Sequence, residues 1–264
     1  MAATERTGST TLGPLSPLAA LAIIGAGLAA GTINTIVGSG SLITFPTLLA
    51  LGYAPVVANV SNTVGLVTGS ISGAIGYRRE LEGQAPRIRV LSVASLAGGL
   101  AGGLLLLALP ASVFENLVPV LILVACVLVA FQPRLAARLA AGDRPARPRG
   151  GPWLFVAVFG TGVYGGYFGA AQGVILIALL GIFIDDGLQR LNGLKNVLAA
   201  LVNGIAAVLF IVFADVDWAV AGLLAAGAIC GGQLGARLGR RIPAGWLRAV
   251  IVVVGVVVSV RLLL

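Results

Sequence analysis

Long apolar runs separated by short polar turns dominate the chain. Most runs are about 20 residues long, which is enough for a helix to cross a hydrocarbon core of about 30 Å. The pattern therefore predicts about eight long transmembrane helices. We place them at about Leu18–Val37, Val56–Tyr77, Val90–Leu109, Val113–Phe131, Trp153–Gly169, Leu188–Phe213, Trp218–Leu238 and Trp246–Leu264.

Two shorter apolar pieces interrupt this pattern. Leu42–Leu51 follows a break at Gly38–Ser41, and Val174–Ile184 follows a break at Ala170–Gly173. Each piece is too short for an ordinary spanning helix. Polar backbone at membrane depth is tolerated only where protein buries it or where it lines a cavity. We therefore predict an all-α integral membrane protein in which two short half-helices supplement the long ones.

Composition supports the membrane class and limits the chemistry. The chain is 58% hydrophobic and 10% charged, whereas a soluble domain carries about 25% charged residues. It contains no histidine, which excludes histidine proton relays and histidine metal sites. Cys126 and Cys230 lie inside apolar runs, where we expect small apolar contacts. The sequence predicts neither a metal site nor a cofactor.

Basic residues are concentrated in short loops. The net charge of +8 comes from arginines in loops such as 78–89 and 132–152. This is the positive-inside pattern of a multi-pass inner-membrane protein, and no basic face for nucleic acid emerges. We divide the chain into a flexible tail (1–16), a first transmembrane repeat (17–131), a basic cytoplasmic linker (132–152) and a second repeat (153–264). The lipid bilayer is a predicted partner; the oligomeric state, including a homodimer, is left open.

An internal repeat accounts for this division. Several residues recur 133 positions later without gaps, and duplicated halves are common in secondary transporters. The recurring pairs are Gly40 and Gly173, Asn59 and Asn192, Val64 and Val197, Gly98-Gly99 and Gly231-Gly232, Gly102 and Gly235, and Pro110 and Pro243.

Loop charges indicate how the two halves are oriented. The loop 78–89 is basic, whereas its counterpart at 211–222 carries Asp215 and Asp217 and no basic residue. Equivalent loops on opposite sides of the membrane mean an inverted repeat, with both termini outside. That arrangement requires the pieces 42–51 and 174–184 to cross the membrane. If they do not cross, the halves are parallel.

Polar side chains gather at the breaks and at the start of one helix in each half. The predicted substrate-binding residues are Asn34, Ser39, Ser41, Asn59, Asn62, Thr63, Gln172, Asn192, Lys195 and Asn196. Lys195 is the only lysine in the chain, and it shares a helix face with Asn192. An ammonium beside amide donors suits a small oxyanion, and half-helix N-termini favour negative charge. The alternative is that Lys195 extends to the cytoplasmic interface beside Arg190.

Two other features receive a simpler interpretation. Asp185 and Asp186 lie in a turn before a helix, where acidic residues are ordinary, although a proton or cation site is the alternative. Glycines at small-xxx-small spacing, such as Gly98 and Gly102, are predicted to pack helices closely. The sequence contains no nucleotide-binding or hydrolase motif, so the chain is predicted not to be an enzyme.

Two groups of motifs resemble one known family. The first half contains GTINTIVGSGSLITFP (residues 31–46) and ANVSNTV (58–64), and the second contains GGYFGAAQG (165–173), NGLKN (192–196) and VDW (216–218). These motifs are similar to those of the sulfite exporter TauE/SafE family, also called the toluene sulfonate uptake permease family. The resemblance extends from about Leu18 to Leu264. Ser39, Ser41 and Gln172 stand where many members have glycine.

The resemblance implies a function. Members of this family are inner-membrane permeases that move sulfite, sulfonates such as sulfoacetate or other sulfur-containing anions. We therefore expect a secondary transporter that works by alternating access around a midplane site between two repeats. The alternatives are a transporter or channel for a different solute, a structural membrane component and a membrane enzyme acting on a lipid. Neither the direction of transport nor a coupling ion follows from the sequence.

Overall fold

All secondary structure in the described part of the chain is α-helical. The computed structural model describes residues 15–140, 151–238 and 244–263. Most of the predicted tail (1–14) and the centre of the predicted linker (141–150) lie outside the described residues. The described helices are α1 (Pro17–Ile36), α2 (Ser41–Ala50), α3 (Pro55–Gly76), α4 (Ala85–Ala108), α5 (Ala111–Ala140), α6 (Gly151–Tyr167), α7 (Gln172–Phe183), α8 (Leu188–Phe213), α9 (Trp218–Leu238) and α10 (Ala244–Leu263).

Several helices are suited to a bilayer. Within the described ranges, five segments are both long and apolar enough to cross a membrane, namely α1, α4, the Ala111–Phe131 part of α5, α8 and α9. The helix α3 is longer than α1 but carries the polar cluster that begins at Asn59. The predicted all-α membrane class is therefore confirmed. The predicted end of a span at Phe131 falls inside α5, which continues to Ala140.

Glycines allow the long helices to approach one another very closely. A Cβ added to Gly31 of α1 would lie 2.4 Å from the Ala228 carbonyl oxygen of α9. In the same way, a Cβ on Gly102 of α4 would lie 2.0 Å from the Val163 carbonyl oxygen of α6. Only glycine permits such backbone contact. The packing role predicted for Gly102 is confirmed.

Contacts along the helices define their relative directions. Ser61 and Ser72 of α3 bond the backbone of Asp217 and Ile229, respectively, so α3 and α9 run in the same direction. The helices α3 and α8 run in opposite directions, because Gly193 lies beside Tyr77 whereas Gly204 lies beside Val67.

The helix pairs follow the 133-residue spacing noted in the sequence. The pair α1–α9 has its equivalent in α6–α4, the pair α3–α9 in α8–α4, and the pair α2–α10 in α7–α5. The pairs α3–α8 and α5–α10 are their own equivalents. This arrangement places α3 and α8 at the centre of the bundle, each next to the break of its own half.

The two breaks touch each other. The backbone N–H of Gly173 donates a hydrogen bond of 3.0 Å to the carbonyl of Gly38. Gly38 has φ +93°, and the equivalent Ala171 in the second break has φ +60°. A Cβ on Gly38 would lie 2.4 Å from the Gly173 Cα. Both the backbone conformation and the close crossing therefore require glycine at position 38.

These two equivalent positions provide a matched test. Gly38→Ala should reduce folded protein sharply, since backbone strain of about 1–2 kcal/mol adds to a backbone clash. Ala171→Gly relieves the same left-handed strain and should leave the unfolding temperature unchanged or higher. Thermal unfolding of the detergent-purified variants measures both. Equal stability of Gly38→Ala and the parent would contradict the crossing described here.

Candidate functional site

Side chains of α8 bind the C-terminal end of α1. The last carbonyl groups of a helix have no partner within it. Lys195 Nζ donates to the carbonyl oxygens of Asn34 and Thr35 at 3.0 and 3.1 Å. Asn192 and Asn196 also donate to Thr35, at 3.2 and 3.3 Å. The single lysine therefore caps the helix that leads into the first break.

Lys195 is buried without a carboxylate partner. Its residue exposure is 1%, and both ion pairs found among the described residues lie elsewhere. The negative end of a helix is equivalent to about half an elementary charge, so α1 offsets only part of the ammonium charge. A buried ion that is not compensated costs several kcal/mol. The surroundings of Lys195 therefore favour an additional negative charge.

Asn59 plays the equivalent part in the other half. Its amide nitrogen donates to the carbonyl of Tyr167, the last residue of α6, at 3.0 Å. Asn192 adds a bond to the Tyr77 hydroxyl at 2.9 Å. The two equivalent asparagines thus each bind the end of the first helix of the opposite half. The hydroxyl of Thr63 bonds the Asn59 carbonyl one turn earlier in the same helix, at 2.9 Å.

The N-terminal end of α2 is fixed by Asn62. The amide nitrogen of Asn62 donates to the Ser41 hydroxyl at 3.2 Å, and its amide oxygen accepts from the Thr44 hydroxyl. Asn34 is oriented separately, since its amide nitrogen donates to Ser70 at 3.2 Å. The two bonds of Asn62 hold the half-helix α2 against α3, with its N-terminus at the break.

Four buried polar atoms at the breaks have no hydrogen-bond partner among the described residues. They are Ser39 Oγ, Asn59 Oδ1, Tyr167 Oη and Gln172 Nε2. Buried polar groups are nearly always paired, so each exception needs an explanation. Three of the four are able to donate a hydrogen bond. Their position in or beside the touching breaks makes this region the candidate functional site.

Aromatic rings cover the region next to α2 and the end of α6. Phe45, Phe114, Tyr167 and Phe168 are all buried and meet edge to face, with centroids 5.3–6.4 Å apart. Such packing excludes water. The cluster lies beside the end of α6, where Tyr167 and Phe168 precede the second break.

An ion-pair cluster lies at the start of α8, at the end of the helix bundle opposite the aromatic cluster. Asp186 pairs with Arg87 of α4 and with Arg190 of α8. Burial alone raises the pKa of the Asp186 carboxyl, but bonds from Arg87 and the Gly187 N–H, with the charges of Arg190 and Arg87, hold it below its usual range. Asp186 is thus a charged link between the two halves, which favours the simpler of the two interpretations of this residue.

The structure brings six of the ten predicted binding residues into two groups. Lys195, Asn192, Asn196 and Asn34 meet at the end of α1, while Ser41 and Asn62 meet at the start of α2. Lys195 does not extend beside Arg190, because its side chain points to α1. The sequence analysis missed Tyr77 and Tyr167. The only signal for them was their position near the breaks and helix ends.

Comparison with known proteins identifies the family. The sequence model of the sulfite exporter TauE/SafE family matches residues 23–262. The chain belongs to the TauE/SafE family. It is a multi-pass inner-membrane transporter, and its relatives are named as probable membrane transporters. No solved structure matches the chain significantly.

Similar TauE/SafE relatives span almost the same length. The chain is 28% identical over 249 residues to the probable membrane transporter protein YfcA of Escherichia coli K12, which covers 94% of this chain and 91% of that protein. A probable membrane transporter protein of Haemophilus influenzae is 28% identical over 80% of this chain and 82% of its own. The Sinorhizobium protein ORF9 is 27% identical over 89% and 88%. These names specify no substrate.

The capping role of Lys195 predicts a difference between two uncharged replacements. Lys195→Gln retains an N–H donor on a side chain one atom shorter, whereas Lys195→Met has none. Because a buried carbonyl without a partner costs about 1–3 kcal/mol, the Met variant should be less stable by about that amount. Thermal unfolding in detergent measures the difference. Equal unfolding temperatures would mean that the α1 carbonyls do not depend on a donor at position 195.

Proposed function

We propose that this protein is a secondary transporter of small sulfur-containing anions such as sulfite or an organosulfonate. It works by alternating access around a site between its two halves. The observation that carries the proposal is the buried Lys195 ammonium, bonded to two backbone carbonyls and to no carboxylate among the described residues. It lies at the end of the helix that leads into the first break.

The surrounding groups supply the donors that a sulfur oxyanion needs. The hydroxyls of Ser39 and Tyr167 and the amide of Gln172 are buried without partners among the described residues. The backbone N–H groups of Gly40 and Ser41, at the N-terminal end of α2, also donate to no described residue. Hydrogen-bond donors at a helix N-terminus favour negative charge. We assign the substrate site to the region between these donors and Lys195.

Asn59, Asn62, Thr63, Asn192 and Asn196 belong to the supporting part of the proposed site. Their amide nitrogens or hydroxyls bond helix carbonyls or the hydroxyl of Ser41. Supporting bonds fix the geometry of neighbouring binding groups. Direct contact with the anion remains available to Asn59 Oδ1, which has no described partner and would accept from a protonated anion.

We further propose that residues 17–131 and 153–264 are inverted repeats, joined by the linker 132–152. The opposite directions of the equivalent helices α3 and α8 support this orientation. The shared direction of α1, α3 and α9 and that of α4, α6 and α8 support it as well. Inverted repeats provide two related conformations that open the same site to either side.

The Asp186 ion pairs and the aromatic cluster lie on opposite sides of the proposed site, and this suggests how access alternates. The Asp186 cluster joins α4 of the first half to α8 of the second, so opening this side requires those pairs to separate. The aromatic cluster closes the other side. A negative-inside potential favours anion export by about 2.3 kcal/mol per charge per 100 mV. Voltage alone is therefore able to drive export, while uptake requires a coupled ion or a steep substrate gradient.

Anion binding is tested by the thermal stability of purified protein. Sulfite, thiosulfate, sulfoacetate, taurine and sulfate are each added to the parent protein. A ligand specific to the folded state stabilises by about 2.7 kcal/mol at one hundred times its Kd. We expect at least one sulfur anion to raise the unfolding temperature. Nitrate and phosphate serve as anions without sulfur.

Two variants on α8 separate a specific site from a general salt effect. Lys195→Gln should lose the stabilisation because the buried positive charge is gone. Asn203→Ala should retain it, since Asn203 lies two turns further along α8 and bonds Ser70. Equal stabilisation of the parent, Lys195→Gln and Asn203→Ala would contradict the assignment of Lys195 to the anion site. An effect of nitrate or phosphate alone would replace sulfur anions with another anion class.

The inverted arrangement is tested by labelling single cysteines at Gly83 and Val216 in a background without Cys126 and Cys230. Position 83 lies in the loop after α3 and position 216 in the loop before α9. Because α3 and α9 run in the same direction, the end of one and the start of the other should face opposite sides. A membrane-impermeant thiol reagent should label one position from each side. Labelling of both from one side would contradict the proposal.

A further inference from the structure

An open apolar groove runs along the outside of the central helices. It has a volume of about 660 Å³ between α3, α4 and α8, within the range of about 300–1,000 Å³ that is typical of small-molecule pockets. Its walls include Ile71 and Ile75 of α3, Leu96 of α4 and Val208 of α8. These four side chains are 38–57% exposed. The groove is separate from the buried site at the breaks.

One end of the groove is marked by a positive charge. Arg78 lines this end and is the only charged residue in the lining. It is exposed and belongs to neither of the ion pairs of the described residues. Arg79, the next residue, is also exposed but does not line the groove. A guanidinium is well suited to bind a phosphate group through two hydrogen bonds.

The length of the groove fits one leaflet of a bilayer. From Val67 to the end of α3 at Gly76, the helix rises roughly 14 Å, which is about half of a hydrocarbon core of about 30 Å. An apolar channel of that length beneath an unpaired arginine matches a single acyl chain beneath its headgroup. Basic residues at such positions are known to select anionic lipids.

We infer that this groove binds an anionic phospholipid, with an acyl chain along α3 and α8 and the phosphate on Arg78. The bound lipid touches the two helices that carry the central polar residues Asn62 and Lys195. Its binding therefore couples bilayer composition to the packing of α3 against α8.

Variants at the two ends of the groove test the inference. Arg78→Gln removes the phosphate partner, and Arg79→Gln is the matched control. Gly204→Phe fills the apolar end, because a Cβ at Gly204 meets only Val67 Cγ2 at 3.8 Å. Gly160→Phe is its control, since nothing lies within 4 Å of a Cβ at this exposed glycine of α6.

The measurement is native mass spectrometry of the purified protein titrated with palmitoyl-oleoyl phosphatidylglycerol or the matching phosphatidylcholine. We expect tighter binding of phosphatidylglycerol by the parent protein. Arg78→Gln should weaken it about fivefold, which corresponds to about 1 kcal/mol per basic residue near the surface. Gly204→Phe should weaken both lipids, while both control variants bind like the parent.

Two outcomes would overturn the inference. Equal affinity of the parent protein for the two lipids, unchanged in Arg78→Gln, would contradict the proposed contact between Arg78 and the lipid phosphate. Undiminished lipid binding by Gly204→Phe would place the acyl chain elsewhere. A dimer that Gly204→Phe dissociates would instead assign the groove to a second copy of this chain.

Discussion

The fold depends on satisfying the backbone where two helices break inside an apolar interior. Unpaired N–H and C=O groups are costly there. In this chain the two breaks bond each other, from Gly173 to Gly38. The backbone carbonyls at the ends of α1 and α6 are bonded by side chains of the central helices α3 and α8. The glycine at position 38 permits the contact because it accepts a positive φ and has no side chain. The polar residues of α3 and α8 follow from the same constraint, since they provide donors for carbonyls that no helix can satisfy.

This constraint explains why polar residues at membrane depth need not all be ligand contacts. Asn59 and Asn192 have the composition of binding residues, yet their amide nitrogens are occupied by the carbonyls of Tyr167 and Thr35. The buried polar atoms without a hydrogen-bond partner are therefore better indicators of a binding site. Ser39, Tyr167 and Gln172 retain unpaired polar atoms within the described structure, and these lie where the breaks meet. The proposed substrate site therefore consists of the polar groups that structural hydrogen bonds do not use.

Local features of the fold were predictable, whereas the partners of individual side chains were not. The predicted spans Leu188–Phe213 and Trp218–Leu238 coincide with α8 and α9, because apolar length and flanking turn residues are encoded locally. The two breaks were recognised from their glycines for the same reason. The attachment of Lys195 to α1 joins residues 160 and 161 positions apart, and no local pattern encodes such a contact. The aromatic cluster combines residues of α2, of α5 and of the end of α6, and it was missed because each ring alone is an ordinary apolar residue.

The differences between equivalent positions narrow the search for function. Asn59 and Asn192 do the same work in both halves, each binding the end of the first helix of the opposite half. Asn62 and Lys195 occupy equivalent positions but differ: Asn62 bonds Ser41 and Thr44 in its own half, whereas Lys195 reaches the carbonyls of α1 across the interface. The proposed repeat requires the contacts that the two asparagines share. It does not need a charge at only one of two equivalent positions, and burying that charge costs free energy. The asymmetry therefore supports the proposal that Lys195, more than any of the asparagines, recognises an anion.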